Sequence, residues 1–306
     1  MNRRKMVVAT AFVTSALALT ACGGGSDPLD TSSGDSDTAA SSDTIVVGSA
    51  NFSENELLAE IYAGALEAKG VKVEKKLNIG SRETYVPALE DGSIDLLPEY
   101  SGNLLSYLDS DTEAVSSDDV YAALPAALPE GLSVLEQSTA EDKDAAVVTK
   151  ETADKYSLTS IADLKDKDLV LGGPPEWKTR ATGVPGFEKN YGVEFKSFKS
   201  LDAGGTLTIN ALKNGQVDVA DVFTTDPNIA AEGWVILEDP KNQFAAQNVV
   251  PLINKDKASQ TVTDALNAVS AALTTENLTD MMEEVVMDAK EPADVADEFL
   301  TENKLS

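Results

Sequence analysis

The chain has 306 residues, with 24 lysines and arginines against 52 aspartates and glutamates, a formal charge of −28 and no histidine. Without histidine, Ser-His-Asp and Cys-His catalysis are excluded, as are the usual histidine-containing zinc sites, and so negative a body argues against nucleic acid or an anionic membrane surface as partner. Cys22 is the sole cysteine, so no disulfide can form within the chain.

Residues 1–21 carry a basic start (Arg3, Arg4, Lys5) and an apolar stretch from Met6 to about Leu19. The stretch is too short to cross hydrocarbon, so these residues read as a secretory signal peptide. Leu19-Thr20-Ala21 directly before Cys22 resembles the bacterial lipobox, which implies cleavage at that point and lipid on Cys22. Residues 22–43, rich in Gly, Ser, Asp and Thr, cannot bury enough apolar surface to offset their ordering entropy and are expected to form a flexible tether. Removing residues 1–21 takes the charge to 21 − 52 = −31. Attachment to the outer face of the cell membrane would then rest on the lipid alone.

The folded part starts near Thr44. "TIVVGS" has a buried-strand pattern, and "SENELLAEIYAGALEAKG" places Leu57, Leu58, Ile61, Ala65 and Leu66 at helical spacing, with Ser53 and Glu56 expected to form a capping box and Gly70 to end the run. "VKVEKKLNIG" alternates like a strand, which completes a βαβ unit. A second such series begins at "SIADLKDKDLVLGGPPEW" and continues through a helix and strand in "GVPGFEKNYGVEFKSFKSL" to a helix ending at Asn214-Gly215 and a strand from Gln216 to Val222. The stretch from Ser259 to Val286 reads as two helices. The fold class is therefore α/β with mostly parallel sheets, in two lobes.

"ALEDGSIDLLPEYSG" is echoed 123 positions later by "ALKNGQVDVADVFTTD". In each copy a helix ends in glycine (Gly92, Gly215), which predicts the left-handed conformation there, and a short strand then delivers an aromatic residue followed by hydroxyl residues. Ligands of open α/β sheets sit beyond the carboxyl ends of strands. Two facing lobes would aim Tyr100 and Phe223 into one cleft.

The segments "VVGSANFSENELLAEIYAGALEAKG", "ALEDGSIDLLPEYSGNLL", "PPEWKTRATGVPGFEKNYG", "ALKNGQVDVADVFTTDPNI" and "LEDPKNQFAAQNVVPLI" resemble the substrate-binding proteins of ABC importers for glycine betaine, choline, carnitine and similar compatible solutes. The resemblance implies a two-lobed, type II periplasmic-binding-protein fold with two crossovers, the first lobe formed by 44–145 plus 246–306 and the second by 146–245, that closes on a small solute by a hinge motion, a membrane permease as partner, a monomer, and no cofactor, metal or catalysis. In that family aromatic faces hold a quaternary ammonium by cation–π attraction, and an arginine fork takes a carboxylate at the other end. By this resemblance Tyr100, Asn103, Phe223 and Arg180 occupy family site positions, and Asp144 falls where the family often has an acid. Ala146 and Gln247 stand where many members have cage tyrosines, and Ala50 where some have a lysine. Phe52 and Trp177 are the candidate replacement rings, each also accounted for by packing within its own lobe. Asn51, Ser53, Thr224, Thr225 and Asp226 are further candidate contacts that can equally cap helices. The solute is left open among choline, carnitine, betaines and larger zwitterions. Two alternatives remain at this point: an extracytoplasmic hydrolase working through paired acids, with Glu54, Glu99 and Asp226 as candidates, and a sensory lipoprotein that keeps the binding fold.

Overall fold

The structure is a computed structural model that describes residues 44–306. The expected signal peptide, Cys22 and the tether lie outside the described residues. Two five-stranded sheets organise the chain. The strands are β1 (Thr44–Gly48), β2 (Lys72–Lys76), β3 (Leu96–Tyr100), β4 (Leu132–Val134), β5 (Asp144–Val148), β6 (Val170–Gly173), β7 (Ser197–Ser200), β8 (Val219–Phe223), β9 (Val235–Ile236) and β10 (Val249–Asn254). The orders are β2-β1-β3-β10-β4 and β7-β6-β8-β5-β9. Each sheet has one strand against the grain, β10 in the first and β5 in the second, and each is the strand that follows a crossing from the other lobe.

The internal echo in the sequence is a structural repeat. β3 and β8 are five residues each and stand at the same place in their sheets, with Tyr100 paired to Val249 and Phe223 to Asp144. Gly92 and Gly215 follow their helices at φ 76° and 64°, the left-handed turn that a glycine makes without Cβ strain. The aspartate of the phrase has the same task in both copies. Asp95 accepts the Val46 amide at 2.9 Å, and Asp218 accepts the Val170 amide at 2.8 Å, so each carboxylate clasps the neighbouring central strand.

Helix α1 (Ser53–Ala68) packs Leu57, Leu58, Ile61 and Leu66 into a core shared with Val262, Leu266, Val295, Phe299 and Leu300 from the C-terminal helices. Each such side chain contributes about 1.5–3 kcal/mol on full burial, so the first lobe is held by residues from both ends of the described chain. The two helices read after Ser259 are Gln260–Ala272 and Thr275–Val286, and a third, Pro292–Glu302, follows them. The second lobe has its own core around Trp177, Phe187 and Phe244. The division expected between residues 145 and 146 falls inside β5, which begins at Asp144. The two crossing segments run side by side, bridged at Glu141 and Asn248, with Asp142 donating its amide to Gln247 at 3.2 Å.

One local expectation fails. Phe52, not Ser53, precedes the first turn of α1, and no side chain caps it. Of the expected pair, Glu56 takes Asn78 Nδ2 at 3.0 Å and Ser53 is exposed, while the neighbouring Asn55 takes the Ala50 amide at 2.7 Å. Tertiary partners outcompete the local box.

Candidate functional site

The carboxyl ends of both sheets' strands border one cavity of about 350 Å³ between the lobes. The turn after β1 supplies Ala50, Asn51 and Phe52, helix α2 (Arg82–Glu90) supplies Arg82 and Tyr85, and the β3 end with helix α3 (Ser101–Leu108) supplies Tyr100 and Asn103. From the other side come Trp177 and Arg180 after β6, Leu201 to Ala203 after β7, Asp221 and Phe223 of β8, and Asp142 with Asp144 where the first crossing enters β5. Tyr100 is the last residue of its strand, and it is 4% exposed.

Three rings meet here. Phe52 lies 5.9 Å from Tyr100 and 4.9 Å from Phe223, centroid to centroid, so one ring bridges the two lobes' strand tips. Trp177 faces the cavity from a fully buried position, stacked at 5.9 Å on Phe244. It serves the second lobe's core and the cavity wall at once.

Of the other residues singled out from the sequence, Ser53 and Asp226 border a neighbouring groove. Thr224, Thr225 and Gln247 line neither space, and their side-chain oxygens are bonded within the protein. Thr224 Oγ1 donates to Asp142 at 3.1 Å, Thr225 Oγ1 donates to Glu54 at 2.5 Å, and Gln247 Oε1 receives the Asn103 amide at 2.8 Å. Glu54, from lobe one, also takes the Tyr100 hydroxyl at 2.8 Å. It therefore ties α1, the β3 tip and the second lobe together. Burial raises the Glu54 carboxyl, and burial with the Glu54 charge raises Asp142 well above the ordinary range.

Both arginines of the described residues, Arg82 and Arg180, border the cavity, and both are engaged. Arg82 sets Nε and Nη2 on the two oxygens of Glu99 at 2.8 and 2.7 Å, and Tyr85 donates its hydroxyl to the same carboxylate at 2.6 Å. Burial works against the Arg82 charge, and Glu99 more than restores it. Arg180 forks across the cleft onto Glu83 of α2 at 3.0 and 2.7 Å. Burial pushes Glu83 up, but hydrogen bonds from Arg180 and Ser81 outweigh it and hold the carboxyl at about 2. This pair is partly exposed, so as a link between the lobes it is worth about 1 kcal/mol at most.

Sequence reasoning missed Arg82, Tyr85, Asp142 and Asp221. A signal for the first existed, since Arg82 and Arg180 are the only arginines after Arg4. Asp221 breaks the apolar strand "VADVF", and an acid inside a buried strand calls for an explanation.

The family model described as the substrate binding domain of ABC-type glycine betaine transport systems matches residues 43–302. The chain belongs to this family. Among similar members of this glycine betaine transport family, the carnitine transport binding protein OpuCC of Listeria monocytogenes is 30% identical over 277 residues, covering 86% of this chain and 88% of that protein. The glycine betaine-binding protein YehZ of Escherichia coli is 26% identical over 272 residues, covering 84% and 89%. The crystal structure of a glycine betaine/carnitine/choline ABC transporter superposes with a TM-score of 0.66 at 24% identity over 85% of this chain and 99% of its own. The fold is the two-lobed binding-protein fold expected from the sequence. These family relatives are transport-binding proteins, which supports an extracytoplasmic solute-binding component of an ABC importer and lends nothing to the hydrolase alternative. None of Glu54, Glu99 and Asp226 lines the 350 Å³ cavity.

Proposed function

We propose that the cleft between the lobes holds a small quaternary-ammonium or zwitterionic solute, of the kind represented by glycine betaine, carnitine and choline, and delivers it to a membrane permease. The observation that carries this reading is the meeting of Phe52, Tyr100 and Phe223, from three segments and both lobes, beside one cavity bordered by carboxylates. A methylated ammonium has no hydrogen to donate, so ring faces and nearby negative charge are what can hold it, at about 0.5–2 kcal/mol per ring. Asn103, Asp144, Arg180 and Trp177 border the same cavity, and in this reading Asn103 and Asp144 meet the rest of the solute while Arg180 and Trp177 form part of the wall. Cys22 carries the lipid that keeps this otherwise monomeric protein on the outer face of the membrane. Loss of incorporated lipid in Cys22→Ser tests the anchor.

Thermal unfolding with choline, carnitine and glycine betaine tests the cleft. A solute at a hundred times its Kd adds about 2.7 kcal/mol, a shift of a few degrees for a chain of this size. Tyr100→Ala and Phe223→Ala together should abolish it. No stabilisation by any of the three, or full stabilisation of the double variant, would overturn the reading.

A further inference from the structure

Asp221 is fully buried in β8, lines the cavity, and receives no N–H or O–H from the protein on either carboxyl oxygen. Asp221 pairs with Ala146 on β5, so Asp144, two residues away on that strand, is its diagonal neighbour on the same face, and burial together with the Asp144 charge pushes the Asp221 carboxyl well above the ordinary range. Asn103, whose Nδ2 donates to Asp144 at 2.6 Å, leaves its own Oδ1 without a donor. The floor of the cavity therefore gathers three side-chain oxygens to which no protein group donates, two of Asp221 and one of Asn103. A buried carboxylate with no partner is costly to keep, and what would complete this one is a donor brought in from outside.

The cations bordering the same cavity do not supply it. Arg82 is closed onto Glu99 and Arg180 onto Glu83, each by two hydrogen bonds, and position 50 is an alanine. A solute carboxylate entering here would meet Asp144 and Asp221, and to take the Nε–Nη2 fork of Arg180 it would have to displace Glu83.

We propose that the cleft selects cations whose tail donates hydrogen bonds, a hydroxyl or an amine, over betaines whose tail is a carboxylate, and that Asp221 sets this choice. The inference rests on the quaternary-ammonium reading of the cleft and narrows it. The methylated head lies against Phe52, Tyr100 and Phe223, and the tail points to the β8 and β5 acids. Arg180 contributes its charge to this floor without lending its fork to the solute.

Calorimetric titration of the purified protein with tetramethylammonium, choline and glycine betaine separates the parts, because the three share a head and differ in the tail. Choline should bind the wild type more tightly than tetramethylammonium, and glycine betaine more weakly than either. Asp221→Asn keeps the shape and should lower choline affinity roughly ten- to hundredfold, the value of a hydrogen bond to a charged group. Tetramethylammonium should change only a few-fold, and the thermal midpoint of the empty protein should hold or rise because an unpartnered acid has gone. Glu83→Gln, which frees Arg180, should strengthen betaine and leave choline unchanged. Betaine binding more tightly than choline in the wild type, or a choline-to-betaine ratio that survives Asp221→Asn, overturns the inference while leaving the ring site standing. Failure of all three compounds to bind the wild type overturns the ring site itself, and the inference with it.

Discussion

Replacing Glu99 with glutamine should destabilise the protein by about 3–5 kcal/mol. Four donors converge on the Glu99 carboxylate: Arg82 Nε and the Tyr85 hydroxyl on Oε1, Arg82 Nη2 and the Tyr100 amide on Oε2, at 2.6 to 2.8 Å. A glutamine of the same shape keeps one acceptor oxygen and turns an NH2 group toward the donors on the other side. Whichever way the amide settles, two bonds are lost and Arg82 is left charged in a site where its side chain is 9% exposed. At about 1.5–3 kcal/mol for each bond to a charged group the loss is about 3–6 kcal/mol, in line with the ~3–5 expected when one partner of a buried ion pair is withdrawn. Urea unfolding at neutral pH measures it, with an unchanged slope showing that the denatured state is not altered. The double variant Arg82→Met, Glu99→Leu should recover part of the loss, since it removes the uncompensated charge as well as the contacts. A Glu99→Gln protein within about 1 kcal/mol of wild type, or a double variant less stable than the single one, would refute this account of the pair.

Two further outcomes follow from the same geometry. Burial raises Glu54 above its ordinary 4.5, and burial with the Glu54 charge raises Asp142 above its ordinary 3.8. Acids raised in the folded state hold protons that the unfolded chain gives up, so their contribution is full below the ordinary carboxylate range and declines as pH rises through the folded values. The urea midpoint should therefore fall more steeply above about pH 5 in the wild type than in Glu54→Gln, Asp142→Asn, and parallel curves would show that this pair does not set the slope. At Gly204 the backbone has φ 64°, and an added Cβ would stand 2.8 Å from Cδ2 of Phe223. Gly204→Ala should cost about 1 kcal/mol of stability and weaken tetramethylammonium binding by pushing a cage ring aside, and an unchanged affinity by calorimetry would show that the ring tolerates the shift.

Much of the architecture was legible because it is written in short-range grammar. The helix-Gly-strand phrase announced both strand tips, and its glycines and aspartates turn out to make the same turn and the same clasp in each lobe. The site was legible at the tips, where Tyr100 and Phe223 face the cavity, and less so wherever a side chain's partner comes from far along the chain. Ser53 and Glu56 have the spacing of a capping box, but Glu56 turns to Asn78. Thr225 follows the ring of Phe223 in sequence, yet its hydroxyl is spent on Glu54, 171 positions away. Arg180 has the fork that suits a ligand carboxylate, and Glu83, 97 positions away, already holds it. Distant pairings of this kind depend on how two lobes are brought together, which no local pattern encodes.

The second lobe is one uninterrupted stretch from β5 to β9, whereas the first waits for its fourth sheet position and its covering helices until residues 249–302 are present. Synthesis runs from the N-terminus, so α1 leaves the ribosome long before Phe299 and Leu300 exist to cover it. The insert can finish while its host still exposes an unfinished apolar face. A truncation that spared every cavity residue but removed the last helix would leave the fold open at the end opposite in sequence to the missing piece.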